Sequence, residues 1–348
     1  HGVRVHATVN TMPRFDEAER LPAHLEKLDA AGVDALILAD LGAFTLAGKY
    51  APKCERHIST QQSIANYECA RAWYDLGAKR VVLAREVSLQ EIREMRAKIP
   101  EELELETFCH GAMCVSYSGR CLLSNYMTGR DSNRGACAQP CRYQYALMEE
   151  KRPGEYFPVF EDEKGTYIMN SRDMCMIDHL GDLMDAGVDC IKLEGRAKSA
   201  YYAAIVTGAY RHCIDAAANG QPLDPVWRNE VDHISHRIYS TGFYYGQPGQ
   251  YTKTSRYIRQ WQIVAMVESC DETGLAKCSL RNKFRKGDIL ECVGPDTRPF
   301  EVIPEEMETP EGAPLEEPKT PQMEFYLRLP KQVPAYSILR RSVELSAK

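Results

Sequence analysis

The chain has 348 residues, of which 44% are hydrophobic and 26% charged, and its net charge is −6. These proportions are typical of a globular protein, and the net charge argues against a generally basic nucleic-acid-binding protein while allowing a local basic face. No apolar run approaches the ~20 residues that cross a bilayer, and 13 cysteines are an odd total for a disulfide scaffold, so we expect a cytoplasmic protein with no membrane partner.

Strands and helices alternate along the first 245 residues. A helix end, a glycine and a short apolar run follow one another at 30–40, 75–85 and 185–195, which is typical of a helix, a tight turn and a buried strand. Three other runs are also predicted strands, namely GVRVHATVN, RHISTQQ and LELETFCHG. Periodicity predicts helices over 17–30, 63–76, 88–98, 173–186 and 199–218. This alternation indicates an α/β fold with a parallel sheet.

About six strand–helix units can be counted, whereas a closed (β/α)8 barrel has eight. Because the sequence opens directly on a strand, we predict a (β/α)8-type barrel over 1–245 that lacks its first two βα units. An open doubly wound sheet is the alternative. A cysteine-rich insertion, 109–166, interrupts this domain, and short alternating runs predict a small all-β, barrel-like domain over 250–348.

In parallel α/β folds the functional residues lie at the carboxyl ends of the strands. The acids and the imidazole at these ends are candidates for proton transfer, namely Glu106, His110 and Glu194. The cations there are candidates for binding a substrate anion, namely Arg85, Lys192 and Arg196. For Glu194 with Arg196, a buried ion pair is the alternative.

Cysteines are concentrated in one glycine-rich stretch, which contains Cys114, Cys121, Cys137 and Cys141, and Cys175 follows later. Their spacing is unlike the paired C-x-x-C of a zinc ribbon. Four thiolates from an irregular loop suit a [4Fe–4S] cluster, whose ligands need not be closely paired. Zinc and structural free thiols are the alternatives, and five cysteines compete for four positions.

Three stretches mix basic and aromatic residues, at 142–145, 253–261 and 281–287. Cations bind phosphates while rings, Phe284 among them, stack on unpaired bases. The pattern predicts RNA contacts from six residues, which are Arg142, Tyr143, Arg256, Arg259, Arg285 and Lys286.

The segment ETFCHGAMCVSYSGRCLLSNY at 106–126 resembles the collagenase-like peptidase family U32, and the similarity continues through TGRDSNRGACAQPCRYQY, EKRPGEYFPVFEDEKGTYIMNSRDMC and IKLEGRAKSAYY. It covers about residues 1–345. Family members begin about two βα units earlier, which agrees with the predicted truncation. The family name implies proteolysis, but the resemblance to its better understood members implies an iron–sulfur protein that hydroxylates RNA bases or ubiquinone precursors without molecular oxygen.

The subgroup that this chain resembles most implies formation of 5-hydroxyuridine at the wobble position of tRNA, with prephenate, a small dicarboxylate metabolite, as co-substrate. By motif, three cluster ligands carry over to Cys114, Cys121 and Cys137, and the fourth to Cys175, with Cys141 as the alternative. The implied partners are tRNA and a related family subunit. Two other functions stay open: a metal-dependent peptidase that uses the same acids and imidazole to activate water, and a non-catalytic RNA-binding subunit.

Overall fold

The structure, a computed structural model, describes residues 2–114, 116–143, 146–147, 151, 153–154, 157–158, 172–249 and 257–343. The chain divides into two compact units, His1–Glu194 with Ile238–Arg256 and Gly195–Arg237 with Tyr257–Lys348. The sequence prediction placed all of 1–245 in the first domain. The structure assigns 195–237 to the second unit instead, because this segment packs with the C-terminal region and binds it through buried ion pairs, for example from Glu230 to Arg340.

In the described residues, the first unit contains ten strands, of which eight form one sheet and two, β6 and β7, form a separate hairpin. The strands are β1 (His6–Val9), β2 (Ala35–Leu38), β3 (Glu55–Ile58), β4 (Arg80–Val82), β5 (Glu104–Ala112), β6 (Ala146–Leu147), β7 (Phe157–Pro158), β8 (Asp173–Cys175), β9 (Cys190–Leu193) and β10 (Tyr239–Ser240). Strands β1 to β5 are parallel neighbours in chain order, and β9 is parallel to β5. The predicted α/β class with a parallel sheet is therefore confirmed.

Six helices belong to this unit, α1 (Phe15–Ala30), α2 (Leu41–Tyr50), α3 (Tyr67–Asp75), α4 (Leu89–Arg96), α5 (Leu123–Thr128) and α6 (Leu180–Asp185). Side chains of Asp40, Asn66 and Ser88 accept backbone hydrogen bonds at the starts of α2, α3 and α4, which fixes where these helices begin. The predicted helix over 173–186 is wrong in its first half. Residues 173–175 form β8 because their backbone pairs with β5, a long-range contact that outweighs local periodicity.

Strand β5 is the branch point of the sheet. At Glu106 it pairs with β4 on one edge and with β9 on the other. At His110 it pairs with β9 and with β8, which runs antiparallel to it. Strand β8 therefore replaces β4 along one edge, and the sheet forks at the carboxyl end of β5. A register shift against β9 between Phe108 and His110 lies at the same place.

The second unit combines two helices with a seven-stranded sheet. They are α7 (Ala200–Ala218), α8 (Pro225–Asn229), β11 (Trp261–Cys270), β12 (Leu275–Leu280), β13 (Leu290–Gly294), β14 (Thr297–Val302), β15 (Met307–Glu308), β16 (Glu324–Arg328) and β17 (Ile338–Ser342). The strand order is β14-β13-β17-β11-β12-β16-β15, and every pairing is antiparallel. This confirms the predicted all-β character of the C-terminal region. None of the helices among the described residues combines the length and the apolarity that a bilayer span requires.

Candidate functional site

The cysteine segment, which we define as residues 113–143, lies across the carboxyl ends of the parallel strands. Its Arg134 binds Glu17 of α1, the helix that follows β1. Its Ser118 accepts a hydrogen bond of 3.2 Å from the Arg85 guanidinium, which follows β4. Its Gly119 packs against Gln61, which follows β3. The segment therefore covers the rim that the sequence predicts to carry the chemistry.

Three of the predicted ligands, Cys114, Cys121 and Cys137, are brought together within this segment. Cys114 as a residue is exposed, but surrounding atoms desolvate its thiol and raise the pKa, and the nearby thiols of Cys121 and Cys137 raise that pKa further. The Arg85 cation and a backbone hydrogen bond oppose both effects. The segment also folds back on itself, since Ser132 donates a 2.8 Å hydrogen bond to the Cys121 carbonyl. The thiols of Cys121 and Cys137 therefore lie close enough to Cys114 to act on its thiol.

The spacing of the thiols bears on the zinc alternative. A zinc ion holds each thiolate about 2.3 Å away, so that the sulfurs of one site lie within about 4.6 Å of one another. In the described ranges, the potential ligand atoms that approach in a group of three to within 4.8 Å belong to Glu230, His233 and Glu291, not to cysteines. Zinc therefore stays the alternative to an iron–sulfur cluster for these cysteines.

The two candidates for a fourth ligand differ in their surroundings. Cys175 on β8 lies directly opposite His110 on β5 in the antiparallel register, so both side chains project from the same face of the sheet. Cys141 lies in a short 3-10 helix, Pro140–Arg142, at the end of the cysteine segment. Both are half-buried. The geometry is compatible with either, and the choice of Cys175 stays a prediction.

Arg85 is a cation of the strand ends that contacts the cysteine segment. Its guanidinium stacks over the Phe108 ring at 3.8 Å, and its closest approach to the Glu194 carboxylate is 3.9 Å. Burial lowers the pKa of Arg85, and the Glu194 carboxylate opposes this effect. An arginine that is desolvated and only loosely paired favours an anion beside it. The predicted anion-binding role of Arg85 therefore fits its surroundings.

Glu106 has a different setting from the one that a proton-transfer residue needs. Its buried carboxylate accepts from Arg80 at 3.0 Å and from Lys192 at 2.9 Å. Burial alone would raise the pKa of Glu106, but Lys192 and Arg80 outweigh it and hold the pKa below its usual value. A carboxylate held this way is a poor base near neutral pH. Its evident role is to fix the Lys192 ammonium beneath Phe108.

His110 and Glu194 lie beside each other at the forked end of β5. The His110 side chain is buried, and its carbonyl accepts from the Glu194 backbone N–H at 2.9 Å. The predicted partner of Glu194, Arg196, is exposed and belongs to the second unit. Within the first unit, the guanidinium facing Glu194 is that of Arg85. Sequence analysis did not identify Arg80 as a residue of this site, because its ion pairs depend on which strands lie next to each other in the sheet.

Gly111 allows the close contact between β5 and Glu194. Its φ is 113°, and a β-carbon at this position would lie 2.5 Å from the Glu194 carbonyl oxygen. We expect Gly111→Ala to destabilise the protein by about 2 kcal/mol or more, since it adds backbone strain and a clash with backbone atoms.

Gly129→Ala is the matched control for Gly111→Ala. Gly129 has a φ of 69° but open space around the added β-carbon, so only the backbone strain remains, about 1–2 kcal/mol. Urea unfolding of both variants gives the comparison. An equal loss of unfolding free energy in the two variants would show that the contact between residue 111 and Glu194 is not tight.

The predicted RNA-contacting residues are only partly supported by their surroundings. Arg285 and Lys286 form ion pairs of 3.4 Å and 3.5 Å with two acids of the loop between β15 and β16, Glu317 and Glu316. Arg259 donates to the Ser235 hydroxyl at 3.2 Å. Tyr143 is exposed and donates to the Ala138 carbonyl. Arg256 and the side chain of Arg142 lie outside the described residues.

One aromatic residue predicted to stack on RNA has another role. Phe284 is 1% exposed and packs against Phe325 in the core of the second unit. Its basic neighbours suggested a nucleic-acid surface, but Phe284 lies in the connection between β12 and β13, where no strand alternation indicates which way a ring points. The prediction of a stacking role for Phe284 is therefore wrong.

A group of acids in the second unit resembles a metal site but already holds a cation. Glu230, His233 and Glu291 bring three ligand atoms within 4.8 Å. The buried Arg340 binds both oxygens of Glu230 at 2.6 Å and one oxygen of Glu291 at 2.8 Å. The guanidinium therefore supplies the positive charge that these acids require.

Comparison with known proteins gives matches over nearly the whole chain. The model of peptidase family U32 matches residues 1–254, and that of the peptidase family U32 C-terminal domain matches residues 259–340. The chain is 34% identical to tRNA hydroxylation protein P1 of Bacillus subtilis, over 98% of this chain and 82% of that protein. It is 38% identical to the 23S rRNA 5-hydroxycytidine C2501 synthase of Escherichia coli, over 62% and 31%, and 30% identical to a collagenase of Porphyromonas gingivalis, over 90% and 78%.

Proposed function

The chain belongs to peptidase family U32, and on that premise we propose that it is an RNA hydroxylase that forms 5-hydroxyuridine at the wobble position of tRNA. Two relatives bear names of RNA hydroxylation, and one of them aligns with 98% of this chain. The observation that carries the proposal is the group of Cys114, Cys121 and Cys137 above a rim with a desolvated arginine. A stacked base hides its C5 atom, so the target uridine must leave the stack to reach this rim.

We propose that Cys114, Cys121 and Cys137 hold a [4Fe–4S] cluster, with Cys175 as the fourth ligand and Cys141 as the alternative. The all-thiol donor set fits iron–sulfur chemistry, and the effect of the Cys121 and Cys137 thiols on Cys114 supports a common ligand. When bound, such a cluster supplies an electron-transfer or Lewis-acid centre.

Arg85 is our candidate for binding the dicarboxylate co-substrate, prephenate. Its guanidinium geometry matches a carboxylate, and its place between Phe108 and the cysteine segment holds it on the rim. Lys192, fixed by Glu106, supplies a second cation within 5.9 Å of the Phe108 ring. His110 and Glu194 are the remaining candidates for proton transfer, an imidazole and a carboxylate beside each other at the forked end of β5.

The finer architecture and location are part of the same proposal. We propose that the first unit is an incomplete (β/α)8-type barrel, because β1 to β5 follow one another in chain order, while a doubly wound sheet reverses its order at a switch point. A tRNA-modifying role places the protein in the cytoplasm.

The peptidase alternative has one relative in its favour, the collagenase. It would use Glu106, His110 and Glu194 to bind a metal and activate water. Glu106, however, is committed to Arg80 and Lys192, which argues against its serving as a metal ligand. Release of gelatin fragments by a protein free of iron would favour the peptidase, and RNA binding without any chemistry would favour the non-catalytic subunit.

Nucleoside analysis of tRNA from a deletion strain tests the proposed function, with the full-length gene restored as wild type or Arg85→Ala. We expect 5-hydroxyuridine to disappear on deletion and to return with the wild-type gene. Arg85→Ala should restore it about 10–100-fold less efficiently, since a charge-assisted carboxylate contact contributes about 1.5–3 kcal/mol.

Two controls separate the effect of Arg85 from loss of the fold or of iron. Arg20→Ala removes an exposed arginine paired with Asp16 and should restore the nucleoside fully. Purified Arg85→Ala should keep the iron content of the wild type. An unchanged level of 5-hydroxyuridine in the deletion strain would refute the proposed function.

A further inference from the structure

The second unit contains a group of cations around one tyrosine, which we call the Tyr257 cluster and define as Lys198, Arg237, Tyr257 and Arg259. The Lys198 ammonium lies 4.2 Å from the centre of the Tyr257 ring. The guanidinium carbons of Arg237 and Arg259 lie 5.0 Å and 5.9 Å from it. Three positive charges thus converge on one ring, of which Arg237 is buried beneath the ring, while Lys198 is half-buried and Arg259 is exposed.

The backbone builds this arrangement. His236 and Ile258 form an antiparallel bridge, with hydrogen bonds of 3.2 Å and 2.8 Å in the two directions. The bridge sets Arg237 opposite Tyr257 and residue 235 opposite Arg259. Because side chains alternate along a strand, these four residues project from one face, away from the side chains of the bridging pair. The local register therefore dictates the cluster.

Hydrogen bonds to Ser235 hold two of the cations in place. Lys198 donates to the Ser235 carbonyl at 3.1 Å, and Arg259 donates to the Ser235 hydroxyl at 3.2 Å. Fixing long basic side chains costs conformational entropy, and in this cluster part of that cost is met on folding and not on binding. Cations held in place before binding suit an anion whose charge is spread over several oxygens, such as a phosphodiester.

We propose that the Tyr257 cluster binds the phosphodiester backbone of the RNA substrate, an inference that rests on the proposed function. Lys198 and Arg259 support this site, since both are held at Ser235 beside the Tyr257 ring. Lys198 and Arg237 lie outside the basic stretches of the sequence, so only the folded structure brings them to Tyr257. The ring adds a surface on which an unpaired base can stack.

Binding of an unmodified tRNA transcript over a range of salt concentrations tests the proposal. We expect Lys198→Ala and Arg259→Ala each to weaken binding about 3–10-fold and to reduce the salt dependence by nearly one ion, because each removes one phosphate contact. Tyr257→Leu should weaken binding while leaving the salt dependence unchanged.

Lys331→Ala is the matched control. It removes one lysine of the same unit that lies 4.2 Å from the Phe300 ring, the same distance as in the Lys198–Tyr257 pair. Its binding should equal that of the wild type. If Lys198→Ala and Lys331→Ala behave alike, or if the wild type shows no salt-dependent binding, the proposal is wrong.

The result of the binding experiment can be distinguished from the result of the experiment that tests the proposed function. A deletion strain that keeps its 5-hydroxyuridine, together with weakened binding by Lys198→Ala, would reject the enzyme but keep the RNA site. Loss of the nucleoside on deletion, together with unchanged binding by Lys198→Ala, would keep the enzyme and reject the site.

Discussion

Replacing Cys121 by serine is expected to abolish the proposed [4Fe–4S] cluster. A serine hydroxyl is a poor ligand for iron compared with a thiolate, so the proposed ligand set would keep three thiolates where the cluster needs four. We expect protein purified without oxygen to contain about four irons per chain in the wild type and far less in Cys121→Ser. Hydroxylation should fall by at least about 100-fold, since even indirect supports of a metal site contribute 10–100-fold.

Cys270→Ser is the matched control for this experiment. Cys270 is also half-buried, but it lies at the end of β11 in the second unit, where its thiol is directed to the Asp271 carbonyl. It should keep both iron and hydroxylation at the wild-type level. Full iron content in Cys121→Ser would remove Cys121 from the ligand set. The same comparison with Cys175→Ser and Cys141→Ser decides the fourth ligand.

Replacing Arg340 by alanine is expected to destabilise the second unit strongly. Arg340 is fully buried, and its removal leaves the carboxylates of Glu230 and Glu291 without their shared cation. Burial alone would raise the pKa of Glu230, but bonds from His233 and Arg340 hold it below its usual value, so this acid is buried as an anion. Breaking such a buried pair costs about 3–5 kcal/mol.

The neighbouring arginine provides the comparison. Arg341 is partly exposed and pairs with Asp288 at 3.1 Å, so Arg341→Ala should cost about 0–1 kcal/mol. Urea or thermal unfolding of the full chain measures both variants. Similar stabilities of the two would mean that the buried pair contributes no more than a surface one.

Sequence patterns predicted those features of the fold that depend on residues close together in the chain. The parallel strands follow from short apolar runs after glycines, and α1 and α7 from their periodicity, so their positions agree with the structure to within a few residues. The collection of cysteines near one rim follows from strand ends and from their closeness in sequence. Local composition and the rules of parallel sheets are sufficient for these features.

Long-range pairing explains the predictions that differed. The strand at 173–175 exists only because β5 offers it an edge, and nothing within those three residues requires it. The sequence predicted Glu106 as a proton-transfer residue, but in the structure β4 and β9 place Arg80 and Lys192 beside its carboxylate. Phe284 looked exposed among basic residues but points inward. In each case the deciding partner lies far away in sequence.

The fork at the end of β5 has a mechanical consequence. The hydrogen bonds that tie β1 through β5 together do not involve the prong formed by β8 and β10. That prong is joined to the rest of the sheet through β5, and it carries Cys175. The position of this thiol therefore depends on the last residues of β5, so a substitution there can move the thiol while the pairing of β1 to β4 is kept.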